Sequence, residues 1–330
     1  MKSRTVIVSS VFLWIFSAVV PAAYSQTKGA GTWSEMSSTG FAPAFWLTSS
    51  VVNGKIYVIG GRGKGHIDTL KVFDPLANKW STPATTGTFT PRYALASSAL
   101  NGKIYVMGGA TGPEDSTTMS NKLEVFDPST NTWSTPKTTG KFTPRDNLFS
   151  CVVKGKIYVI GGYDGVAKDV TTLEVFDPST NTWSTPKTTG TFIPRGAYGI
   201  GVVNDKIYIL GGLSTADIPE VVQVFDPSTN AWSTLKTTGT FTPRYAVASC
   251  VIDGKIYVMG GQTATDFLNT VEVFDPSTNS WSTPKTTGTF TARGYYTSSV
   301  VNGKIYTIGG YDGKKGVNNV EVFTPGGVKR

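Results

Sequence analysis

The chain has 330 residues, 39% of them hydrophobic, which is ample for a packed core and excludes a disordered protein. Its formal charge of +8 comes from 30 basic and 22 acidic residues spread along the chain, with no basic run of the kind that binds nucleic acid. A single histidine, His66, excludes a multi-histidine zinc or copper centre, and no cofactor is expected.

Residues 1–25 read as a separate unit. Basic Lys2 and Arg4 precede an apolar run from Val6 to Val20, and PAAYS then places Ala23 and Ser25 three and one before a cut. This is the pattern of a cleaved signal peptide; the run is short for a membrane anchor. The mature chain, 26–330, is therefore expected to be secreted or periplasmic, without a membrane span. Losing Lys2 and Arg4 takes the charge from +8 to +6.

From Trp33 onward the chain repeats. KIYVIGG and its variants end in Gly-Gly pairs beginning at Gly60, Gly108, Gly161, Gly211, Gly260 and Gly309, spaced 48, 53, 50, 49 and 49 residues apart. Between them stand LKVFDP, LEVFDP (twice), VQVFDP, VEVFDP and VEVFTP, and tryptophans recur at 33, 80, 133, 183, 232 and 281. Such a period identifies a repeat architecture. Each copy predicts four short strands: a half-apolar run, a two-residue turn (NGK, KGK, NDK or DGK), KIYVIGG, LEVF, a Asp-Pro-Ser-Thr-Asn turn, and a strand carrying the tryptophan. No helical periodicity appears after residue 25.

These features resemble the kelch family: Gly-Gly after an apolar strand, VFDP, a tryptophan six residues beyond the aspartate, and a Pro-Arg pair, in phase over residues 30–325. The resemblance implies an all-β, six-bladed propeller around a central channel. The first tryptophan strand has no blade before it and the last copy lacks one, so the N-terminal strand is expected to complete the last blade.

Loops after each Gly-Gly differ in length and content, whereas the opposite face carries near-identical hairpins. A ligand is therefore expected at the variable face or the channel mouth. TTGTFTPR at 85–92 has counterparts that place Arg92, Arg145, Arg195, Arg244 and Arg293 at one repeat position, which in the first copy is Ala44. Two readings stand open: a ring of guanidinium groups at the mouth that attracts carboxylates or phosphates, or structural ties between loops and blades. Asp146, beside Arg145, is a possible acid or base. Trp46, Tyr93, Tyr198, Tyr245, Tyr295 and Tyr296 offer either a stacking wall for a sugar or peptide or packing between blades. Cys151 and Cys250 share one repeat position two blades apart, too far for a disulfide, and are expected to be free buried thiols. His66, in a Gly-Lys-Gly context, is expected to be solvated.

Two functions follow. The first is an exported, non-enzymatic binding module that holds a protein or glycan, anionic ligands among the candidates. The alternative is an enzyme resembling sialic acid mutarotase, acting on an acidic sugar. A copper oxidase resembling galactose oxidase is excluded by the single histidine.

Overall fold

The computed structural model describes residues 29–112, 117–166, 169–214 and 216–327, and the signal peptide expected at 1–25 lies outside them. The described chain is all-β and forms six blades. Five are four-stranded antiparallel sheets built in chain order, such as Phe149–Val153, Lys156–Ile160, Leu173–Asp177 and Thr182–Ser184. Among the described residues no helix is long and apolar enough to cross a membrane.

Turn chemistry sets the blade dimensions. In the hairpin after each innermost strand both central residues take positive φ, as at Asn53 (51°) and Gly54 (72°), the geometry that matches the twist of the flanking strands. Asn204 and Asp205 manage it without glycine, at 50° and 60°. In the Asp-Pro-Ser-Thr-Asn turns the aspartate caps its own loop: Asp127 Oδ1 accepts from Ser129 N at 3.0 Å, and Asn131 closes the turn at φ 54°.

The KIYV strands are apolar on both sides because both faces are buried. Each core cluster is shared by two neighbouring blades: Tyr57, Ile59 and Val72 of the first pack with Ile104, Val106, Phe126 and Trp133 of the second. The same arrangement joins last to first, through Val301, Tyr306 and Val322 against Ile56, Val58 and Phe73. Burial of these side chains, at roughly 1.5–3 kcal/mol each, is what holds the ring together.

The last blade closes as the repeat phase requires. Its sheet contains Thr297–Val301, Lys304–Ile308 and Val320–Thr324, completed by Gly31–Glu35. Trp33 lies opposite Phe323, and Gly31 and Thr32 also run parallel to Thr286 and Thr287. The first described strand is thus held on both sides by the end of the chain.

Candidate functional site

TTGTFTPR runs along the outer edge of the blade that follows it. In the second blade, Thr86 N donates to Asn131 O at 3.0 Å and Trp133 N donates to Thr86 O at 2.8 Å. Gly87, at φ 77°, lies so close that a Cβ there would come 2.1 Å from Trp133 O. Phe89 stacks on Trp133 with ring centroids 4.8 Å apart. Thr90 N and Oγ1 then donate to Glu124 Oε1, at 3.1 and 2.8 Å, and Arg92 Nη1 pairs with Glu124 Oε2. The segment is a strap that covers the exposed edge of the sheet and plugs its arginine into the blade.

The five arginines therefore do not form an open ring at the mouth. Arg92, Arg145, Arg195, Arg244 and Arg293 are each 0% exposed. Four reach the glutamate of the third strand: Arg145 Nη2 lies 2.5 Å from Glu174 Oε2, Arg244 Nη2 lies 2.7 Å from Glu272 Oε2, and Arg293 pairs with Glu321 as Arg92 does with Glu124. Burial pushes the guanidinium pKa of Arg92, Arg145 and Arg244 down, and the facing carboxylate offsets part of that shift. A buried charge is tolerated only when paired and hydrogen-bonded, which these four are.

The two remaining blades depart from the pattern differently. In the first, Ala44 replaces the arginine and Lys71 replaces the glutamate, so both members of the pair are gone; Lys71 Nζ donates to Thr82 Oγ1 at 2.8 Å. In the fourth, Arg195 remains but faces Gln223, and Ile193 replaces the strap threonine. Gln223 Oε1 accepts from Ile193 N at 2.9 Å, while its Nε2 turns to Thr191 O. Arg195 Nε and Nη1 are left without an acceptor, and burial brings its pKa down to about 10. The signal was available in sequence: the second letter of LEVF reads Lys, Glu, Glu, Gln, Glu, Glu beside Ala and five arginines.

The channel mouth is built instead by the residues just after the arginine position. Trp46, Ala94, Asn147, Ala197, Ala246 and Tyr295 all take positive φ, between 47° and 58°. Their backbones form a closed ring of hydrogen bonds: Ala94 N to Trp46 O, Asn147 N to Ala94 O, Ala197 N to Asn147 O, Ala246 N to Ala197 O, Tyr295 N to Ala246 O and Trp46 N to Tyr295 O, at 2.7–3.2 Å. Asparagine tolerates this left-handed conformation; tryptophan and tyrosine rarely adopt it, and backbone strain of this kind gathers at functional sites.

The collar is lopsided. Trp46 and Tyr295 are adjacent in it, edge to face at 5.3 Å, while alanines occupy half the ring. Tyr245 stands 6.4 Å from Tyr295, so three of the aromatics singled out in sequence meet at the mouth and are partly exposed. Tyr93 is buried behind Trp46, stacked at 5.3 Å, and His66 packs on Tyr93 at 5.1 Å, half-buried where solvation was expected. Tyr198 and Tyr296 belong to the packing between blades: their hydroxyls donate to Ile160 O and Met259 O at 2.6 Å.

Below the collar lies a cavity of about 190 Å³. Its wall carries Thr48, Ser49, Ser97, Ser249 and Ser298 from the innermost strands, and among the described residues none that lines it is charged. Asp146 stands behind it, buried, bonded to the Asn147 side chain, with Oδ1 unpartnered and its pKa pushed up to about 6 by burial. Loop carboxylates serve their own turns: Asp164 Oδ1 accepts from Val166 N and Asp312 Oδ1 from Lys314 N, each at 2.9 Å. Among the described residues no three metal-ligating side chains converge. Cys151 and Cys250 are both free, and burial raises the pKa of both thiols, although the Cys151 residue as a whole keeps some exposure.

Six antiparallel blades, a closed ring and a variable face around a channel define a six-bladed propeller. The KLHDC2/KLHL20/DRC7 Kelch-repeats domain matches residues 23–212 and 199–328, and the chain belongs to this kelch-repeat family. Propellers of this kind commonly mediate protein binding. A curated relative, the Rab9 effector protein with kelch motifs of Bos taurus, is 32% identical over 143 residues; the match takes in 42% of this chain and 38% of that protein.

Proposed function

We propose that the protein is a non-enzymatic binding module, exported by way of residues 1–25, whose variable face and channel mouth dock a protein or glycan partner. The observation that carries this is the collar. Two of the largest side chains of the chain, Trp46 and Tyr295, occupy left-handed positions where alanine stands in half the blades. The left-handed backbone is common to all six copies, so what sets Trp46 and Tyr295 apart is the large, partly exposed aromatic surface they place at the mouth where the other four copies place alanine or asparagine, as a docking role requires. The loops around them supply the variation from blade to blade that partner recognition uses. The likeness to a Rab9 effector favours a protein among the partners.

The acidic-sugar reading is less well supported. Of the features it draws on, size, export and an arginine-rich mouth, the last is missing, because those side chains are sealed inside the blades. An acidic group in the cavity would lose its hydration with no cation lining the wall to replace it.

The test is a binding screen of the mature chain against extracellular proteins and glycans, repeated with Trp46→Ala plus Tyr295→Ala and with Lys206→Ala plus Ser228→Ala on the opposite face. Binding lost with the collar pair and kept with the other supports the reading. Binding lost only with the opposite-face pair rejects it.

A further inference from the structure

The cavity beneath the collar combines three properties. Its volume of about 190 Å³ suits one ring and not a folded element. No lining residue is charged, so an ionic ligand would be stripped of water without compensation. Its polar groups are hydroxyls and one amide, and one edge is aromatic.

We propose that this cavity is a subsite for a neutral pyranose ring at the end of a glycan, a reading that rests on the binding-module function above. A sugar ring has an apolar C–H face and a rim of hydroxyls that both donate and accept. The apolar face suits the aromatic corner of Trp46 and Tyr295. The rim suits the wall below, where hydroxyls already exchange hydrogen bonds across blades: Thr48 Oγ1 with Ser97 Oγ at 2.9 Å, and Ser249 Oγ with the backbone of Ile200 at 2.8 and 2.9 Å.

Trp46 and Asn147 set the character of the rim. The Trp46 ring lines the cavity with its apolar atoms, while its Nε1 is buried away from the open space. Asn147 adds an amide on the far side of the collar. A neutral hydroxylated ring can both stack on the aromatic edge and pair with that amide and the wall hydroxyls; a carboxylate would bring a charge that no lining residue offsets, and an aliphatic peptide side chain would pair with none of these groups.

The experiment titrates the mature protein with oligosaccharides ending in glucose, galactose, mannose or N-acetylglucosamine, alongside glucuronic acid, sialic acid and an aromatic-proline peptide. Tryptophan fluorescence and calorimetry are the readouts. The expected result is saturable binding of at least one neutral terminus and at least tenfold weaker binding of the acidic sugars. Trp46→Ala and, separately, Tyr295→Ala should each weaken sugar binding at least tenfold; melting curves identify a variant that has failed to fold, and the other then decides. Binding of a peptide or protein through the collar with no neutral sugar bound would overturn the subsite and leave the binding module standing. Sugar binding untouched by both folded variants would also overturn it. If neither sugars nor proteins engage the collar, both readings fall.

Discussion

Replacing Gln223 with glutamate should make the protein more stable. In four blades the buried arginine meets a carboxylate, but Arg195 meets an amide turned away from it, and two of its N–H groups lack acceptors. Its pKa has fallen from 12.5 to about 10, which corresponds to about 3 kcal/mol of penalty on the charged form. Folded and unfolded values both lie far above neutrality, so the whole penalty is present at pH 7. A glutamate in the same rotamer as Glu174 or Glu272 regains part of this and loses part to its own desolvation, for a net gain of about 1–2 kcal/mol. Urea unfolding should show a higher midpoint at unchanged slope, and the melting temperature should rise by about 2–5 °C. The mirror change, Glu272→Gln, should recreate the fourth blade in the fifth and cost about 3 kcal/mol. Gln223→Glu lowering stability while Glu272→Gln leaves it untouched would refute the role assigned to the pair.

Trp33→Ala should cost about 3–5 kcal/mol, because that ring stacks on Phe290 at 4.3 Å and closes the last blade; a chain beginning at residue 40 that melts like one beginning at residue 26 would contradict the closure. Gly87→Ala should cost more than about 2 kcal/mol, read by denaturant titration, since φ is 77° and the new Cβ meets Trp133 O. Asp146 has a folded pKa raised from 3.8 to about 6, so the native state binds its proton more tightly than the unfolded chain does. Stability from this group falls as pH rises from about 4 to 6, by about 3 kcal/mol; Asp146→Asn should flatten that slope in unfolding measured across the window. Burial pushes the Cys250 thiol up to about 12 and raises the Cys151 thiol as well, so both should react with a thiol reagent only in denaturant.

The periodicity alone determined the architecture. Gly-Gly pairs, VFDP and tryptophan in constant phase dictate four strands per copy, because each signal is local: turn residues set φ within two positions, and apolar runs mark strands buried on both faces. Phase even dictated closure, since a tryptophan strand left over at one end must fill the vacancy at the other. The fate of the arginines was not legible from their own neighbourhood. Whether Arg145 faces solvent or a carboxylate depends on Glu174, 29 residues away and brought beside it by strand pairing. The collar was still further out of reach: Trp46 and Tyr295 are 249 residues apart, and only the meeting of first and last blades makes them one aromatic corner. Repeats specify contacts between equivalent positions of adjacent copies, but a binding site arises where the copies differ, and which differences face one another is decided by the circle they close.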